Sequence, residues 1–172
     1  MARILLLALA AAALCGGVAR ADAPEPTRTL DLEKFMGRWY EIMRTPNITQ
    51  RNCFAAHQMW EPTQPGRFLI KQYCHRGSPD GPEHQVDTQA RVLNPPDNTK
   101  FEATFFAGLI KQRYWVIDHD ADYRWMIAST ADGRYPALLA RTPSLSAAEQ
   151  ARLKARMSEL GFQTDRLQMV GQ

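Results

Sequence analysis

Gly37-Arg38-Trp39-Tyr40-Glu41-Ile42-Met43-Arg44 is the stretch on which the fold turns. Gly37 ends a short helical reading over Leu32–Met36, and the residues behind it open the first of a series of short apolar or alternating runs. Alternation with aromatic and β-branched residues is the pattern of a half-buried strand. The first run is Arg38–Arg44, and seven more follow: Cys53–Glu61, Arg67–His75, His84–Leu93, Thr99–Phe106, Gln112–Asp118, Tyr123–Ser129 and Tyr135–Thr142. Turn formers separate them, notably Pro62-Thr63-Gln64-Pro65-Gly66, Asn94-Pro95-Pro96-Asp97-Asn98 and Asp132-Gly133. Runs joined mostly by turns and not by helices argue against a parallel α/β sheet and point to an all-β antiparallel barrel or sandwich. An eight-stranded up-and-down barrel has an interior wide enough for one small ligand.

One helix follows the strands. Ser146 and Glu149 form a capping-box pattern, Leu153, Met157 and Leu160 fall on one face, and Gly161 suits the position after the last turn. Its apolar face requires a surface to cover, most simply the outside of a barrel. Arg166–Val170 reads as a short final strand.

Ahead of the strands, Arg3, the apolar run Ile4–Cys15 and Ala19-Arg20-Ala21 together read as a signal peptide over residues 1–21. The run is too short to span a bilayer. Cleavage after Ala21 leaves a flexible, proline-containing lead-in over 22–30 and one domain over 31–172. The rival reading is a lipoprotein acylated on Cys15, for which Leu14 is a poor preceding residue. Composition is that of an ordinary globular protein, 45% apolar and 23% charged. Removing Arg3 and Arg20 lowers the formal charge from +3 to +1, which gives no reason to expect a nucleic-acid partner.

Export sets the reading of the cysteines. Without Cys15 two remain, Cys53 and Cys74, and an oxidising compartment favours a single disulfide over two separate buried thiols. A turn centred between Thr63 and Gln64 sets the two directly opposite each other. Opposed residues on one face are close enough to bridge. The cysteines and histidines show no zinc-ligand spacing, and no metal or cofactor is expected.

Motifs of hydrolases, nucleotide-binding loops and zinc proteases are absent. Asp118, His119, Asp120 and Asp122 crowd one stretch, but between two strands such residues read as turn formers. His57, His75 and His84 read as solvated strand positions. More is carried by Trp39 and Arg141. In a closed barrel the first and last strands are antiparallel neighbours, so the start of one meets the end of the other. A cation–π stack between these two contributes about 0.5–2 kcal/mol.

Gly37-Arg38-Trp39-Tyr40-Glu41-Ile42 resembles the Gly-x-Trp motif that opens lipocalins. Asp120-Ala121-Asp122-Tyr123 resembles the second lipocalin motif, with Ala121 where threonine is usual, and Arg141-Thr142-Pro143 resembles the third. Glu159–Asp165 looks like the end of the helix in bacterial lipocalins, the group related to apolipoprotein D, and the likeness runs from about Leu30 to the C-terminus. The resemblance implies an eight-stranded calyx with one helix outside, Trp39 and Arg141 closing the floor, and a carrier of a small apolar molecule. It also implies that Tyr114 and Val116 face inward.

Parity then extends the pocket. With Trp39 inward, Glu41 and Met43 follow; with Arg141 inward, Leu139, Ala137 and Tyr135 follow. A turn centred between Asp120 and Ala121 pairs Val116 with Trp125 and Tyr114 with Ile127, turning both inward. The candidate ligand-binding residues are therefore Met43, Tyr114, Val116, Trp125, Ile127, Tyr135, Ala137 and Leu139, with no catalytic residue. The favoured reading is a non-catalytic periplasmic carrier for a fatty acid or lysophospholipid, with membrane association only if Cys15 is lipidated. The alternatives are a lipid-modifying enzyme on the same scaffold and an outer-membrane lipoprotein with a structural role.

Overall fold

The computed structural model describes residues 22–172, so the expected signal peptide over 1–21, with Cys15, lies outside the described residues. Eight antiparallel strands form the wall: β1 (Gly37–Arg44), β2 (Cys53–Gln64), β3 (Arg67–Arg76), β4 (Glu83–Val92), β5 (Lys100–Phe105), β6 (Ile110–His119), β7 (Trp125–Thr130) and β8 (Ala137–Ala140). Each pairs with the next, and β1 also pairs with β8, which closes the barrel and leaves no open edge between first and last strands. A ninth strand, β9 (Gln168–Met169), lies outside the eight and pairs with Met43 and Arg44. There β2 has diverged from β1, and the Ala55 amide instead donates to the Gly171 carbonyl at 2.6 Å.

Up-and-down order gives the barrel two unlike ends. The end where β1 begins is plugged by the short helix α1 (Leu32–Phe35), whose first amides are capped by the Asp31 carboxylate. Phe35 is fully buried and packs edge-on against Trp60 and nearly parallel to Phe101. The opposite end is open and is ringed by the β1–β2, β3–β4, β5–β6 and β7–β8 loops.

Outside the wall lies the second helix, α2 (Ala147–Glu159), with both halves of the Ser146–Glu149 capping box formed. Leu153 and Met157 are fully buried against Ile42, Ile117, Ile127 and Leu138 on the outer face of the strands. The Arg156 Nε donates to the buried Asp118 carboxylate at 2.9 Å and fixes the helix to β6. Residues 22–30, read as a flexible lead-in, instead lie along the wall. Ala23 and Leu30 are buried, and the Ala23, Thr27 and Leu30 amides donate to carbonyls of Ala131, Ile117 and Asp97 at 2.8 Å. The two prolines there remove donors but leave these amides free to bond.

The disulfide joins Cys53 and Cys74, with Cα atoms 5.4 Å apart, but not by the expected register. Pro65-Gly66 makes the β2–β3 turn, with Gly66 at φ +67°. Cys53 therefore pairs with Arg76, beyond a bulge that holds Ala55 at φ +46°. The displacement is an even number of residues, so both cysteines stay on one face and bridge diagonally.

Candidate functional site

A bulge in β1 decides what the cup contains. The β1–β8 register slips between Glu41 and Met43, so Ile42 and Met43 both pack outward beneath α2, and the next residue, Arg44, lines the interior. Met43 is thus removed from the expected pocket set. Trp125 and Ile127 are removed as well. The β6–β7 turn spans five residues, not a tight pair, and Val116 faces Ala128 while Asp118 faces Ile127 across a bulge. That shift exchanges the two faces of β7. Met126 and Ala128 look into the barrel, while Trp125 and Ile127 pack on the helix side, with the Arg152 guanidinium 5.9 Å from the Trp125 ring. Tyr114, Val116, Tyr135, Ala137 and Leu139 line the cavity, as does Glu41.

The cavity has a volume of about 360 Å³ and is graded from bottom to top. Phe35, Trp60, Ile70, Phe101, Val116, Met126 and Leu139 make an apolar lower part. Most come from strand alternation in β2, β3, β5 and β7, a signal present in the sequence once each turn is correctly centred. Gln58, Gln72 and Thr88 add polar points on the β2–β4 side, where Thr88 accepts from Gln72 Nε2 at 3.0 Å and donates to the Ile70 carbonyl.

Arg44 and Glu41 form an ion pair toward the open end, both largely buried. Burying these charges is tolerable because their remaining hydrogen-bonding capacity is used. Arg44 Nη2 donates to the carbonyls of Gln50 at 3.2 Å and Cys53 at 2.8 Å, and Gln50 Nε2 donates to Glu41 at 3.2 Å. The pair thereby ties the β1–β2 loop to the wall. Burial, with a smaller contribution from the Glu41 carboxylate, pushes the Tyr114 hydroxyl up to about 12, so it stays neutral at physiological pH.

At the floor, Arg141 lies over Trp39 with its guanidinium carbon 3.8 Å from the ring centroid. It donates to the carbonyls of Lys34 at 2.7 Å, Arg38 at 2.8 Å, Phe35 at 3.1 Å and Tyr123 at 3.3 Å. One side chain thus joins α1, β1 and the β6–β7 turn. The Asp118–Asp122 cluster is structural in a way turn chemistry alone does not describe. Asp118 binds Arg156 and Thr27, His119 stacks on Tyr123, and Asp120 pairs with Arg124. The Arg124 hydrogen bond holds the Asp120 carboxyl below its usual range.

Comparison with known proteins agrees with this architecture. Apolipoprotein D of Rattus norvegicus is 28% identical over 102 residues, covering 59% of this chain and 52% of that protein, so the match spans about half the relative's length. Outer membrane lipoprotein Blc of Escherichia coli (strain K12) is 27% identical over 176 residues, covering 98% of this chain and 97% of that protein. Among solved structures, the cockroach allergen Per a 4 superposes with a TM-score of 0.66 over 88% of this chain and 96% of its own, at 16% identity, a likeness of fold. The lipocalin-like domain model matches residues 30–172, the same stretch that builds plug, barrel, helix and outer strand, and the chain belongs to that family.

Proposed function

We propose that this protein is a non-catalytic carrier of a small hydrophobic ligand, of the fatty acid or lysophospholipid class, in the cell envelope. The observation that carries the reading is the cavity itself, closed at one end by α1 and Arg141, apolar below and open above. At about 360 Å³ it falls at the small end of small-molecule sites, which favours a single acyl chain over a two-chain lipid. A chain tail suits the apolar floor, and a headgroup suits the polar upper part, because an unpaired charge is costly at the bottom. Glu41, the acid that parity turns into the cup, is held by Arg44 and Gln50, which supports carriage over catalysis.

The name of the full-length relative, an outer membrane lipoprotein, supports an envelope location. Within the envelope we favour periplasmic export with cleavage after Ala21, and an anchor on Cys15 is the alternative. The mass of the mature N-terminus separates them, Asp22 marking cleavage and a diacylated Cys15 marking the anchor.

Each buried methylene contributes about 0.8 kcal/mol, so ten give about 8 kcal/mol before the costs of association are subtracted. Micromolar affinity corresponds to about −8 kcal/mol and requires headgroup contacts to offset those costs. Titration of delipidated protein with fatty acids and lysophospholipids of increasing length should show affinity rising per methylene, then levelling off. Trp60, in the cavity wall, is the reporter; Trp60→Phe should remove most of the fluorescence change and Trp125→Phe should not. No saturable binding at any length would end the carrier reading.

A further inference from the structure

The large apolar side chains that the fold leaves exposed gather around the mouth of the cup. Ile48 in the β1–β2 loop is 80% exposed, and Phe106 and Leu109 in the β5–β6 loop are 67% and 87% exposed. Ile110 and Tyr135 are exposed beside the same opening. Among the described residues, no large side chain of this kind is exposed at the floor. Val86 on β4 and Met169 on β9 are exposed singly and need no explanation, but the gathering of the other five at one end does.

The two loops that carry the most exposed of them stand on opposite sides of the mouth, because β1–β2 and β5–β6 are half a barrel apart. Their charge is one-signed. From Ile42 to Trp60 there is no acid; Arg44 is taken up by the buried Glu41, which leaves Arg51 as the exposed base. From Ala103 to Ile117 there is again no acid; Arg113 lies 3.6 Å from the Glu102 carboxylate, which leaves Lys111 as the exposed base. The acids of the rim sit on the other two sides, and Asp132 among them is paired with Arg134. The β5–β6 loop is also held in an unfavourable conformation, with Phe106, Ala107 and Gly108 at φ +51°, +54° and +94°. Non-glycine residues adopt that region at a cost, yet it leaves the Phe106 ring largely exposed, in contact with Phe105 at a centroid distance of 6.5 Å.

We propose that the mouth docks on a bilayer surface rich in anionic lipid. Phe106 and Leu109 enter the boundary between headgroups and acyl chains on one side of the mouth, and Ile48 enters on the other. Arg51 and Lys111, both exposed, meet the lipid phosphates. In this pose the cup opens directly onto the lipid, and an acyl chain passes between bilayer and floor without crossing water. The docking surface is separate from the cup, and only the transfer step rests on the carrier reading.

The test is co-sedimentation with vesicles of phosphatidylcholine alone and of phosphatidylcholine mixed with phosphatidylglycerol. The proteins compared are wild type, F106S/L109S and L109E. Neither Phe106 nor Leu109 lines the cavity, and Leu109 is nearly free of packing. Wild type should prefer the anionic vesicles and lose affinity as salt rises. Removing both apolar tips should weaken binding by about tenfold or more, and L109E should weaken it further on anionic than on neutral vesicles. Cup binding of a soluble single-chain lipid should be unchanged in all three. Wild type that ignores anionic vesicles, or variants that bind them as well as wild type does, would overturn the docking. A concentration-dependent dimer abolished by F106S/L109S, without vesicle binding, would overturn it too and make the rim a self-interface. Loss of the carrier reading has a different signature, vesicle binding with an empty cup.

Discussion

Arg141→Ala should destabilise the barrel while leaving lipid affinity nearly unchanged. The side chain stacks on the fully buried Trp39 and donates to four backbone carbonyls from three segments. The stack contributes about 0.5–2 kcal/mol. The hydrogen bonds add less than their number suggests. The Lys34 and Arg38 carbonyls accept at the exposed edge and regain water, and the Phe35 carbonyl keeps its bond from Trp39 Nε1 at 2.9 Å. The Tyr123 carbonyl alone loses a partly buried partner, at about 1 kcal/mol. Half-burial disfavours the Arg141 charge, and deleting it recovers some of that cost. The net loss is about 1–2 kcal/mol. For a domain of this size it lowers the melting temperature by about 2–8 °C. Thermal unfolding followed by circular dichroism reads the first quantity and lipid titration the second. Arg141→Lys should fall between, since an ammonium keeps the charge and loses the planar fork. Unchanged stability with a large fall in affinity would refute the assignment of Arg141 to the floor.

Cys53→Ala/Cys74→Ala should lower stability by about 3 kcal/mol, the loop-closure contribution for a sequence separation of 21 residues. Unfolded, unreduced wild type should show no reactive thiol, and two reactive thiols would contradict the bridge. For Tyr114, the folded value of about 12 lies above the ordinary value near 10. The folded state therefore holds this proton more tightly, and the stability it contributes below pH 10 is lost as pH rises from about 10 to about 12. The tyrosinate absorbance should show a step near the top of that range that Tyr114→Phe removes, and identical titrations would contradict the burial.

Local features of the chain were readable because short-range chemistry dictates them. Eight strands follow from alternation and turn formers, α2 from its capping box and apolar face, and the Trp39–Arg141 stack from barrel closure. Register was not readable, because bulges and turn lengths depend on tertiary packing. Met43 was misplaced by one extra residue in β1 that turns Ile42 and Met43 toward α2. Trp125 and Ile127 were misplaced because Tyr123, at φ +59°, takes part in a five-residue turn where a tight one was expected. Tyr123 accepts from the Asp31 amide at 2.7 Å, so the turn is shaped by contact with the plug, distant in sequence. The cysteines paired despite the wrong register because the error was even and left the face unchanged. Glu41 was placed inward by parity, but its partner Arg44 was missed for the same reason as Met43, since the bulge that expels one admits the other.

The central claim is that one acyl chain occupies the barrel interior. Native mass spectrometry of protein purified from its own host, wild type beside Ala128→Trp, tests it most directly. Ala128 lines the cavity between Val116 and Ala137, and an indole there fills much of the space a chain requires. Wild type should carry the mass of a single one-chain lipid in a one-to-one complex, and the filled variant should fold and fly bare. Equal lipid retention by both proteins, or a two-chain lipid in the wild type, would contradict the account.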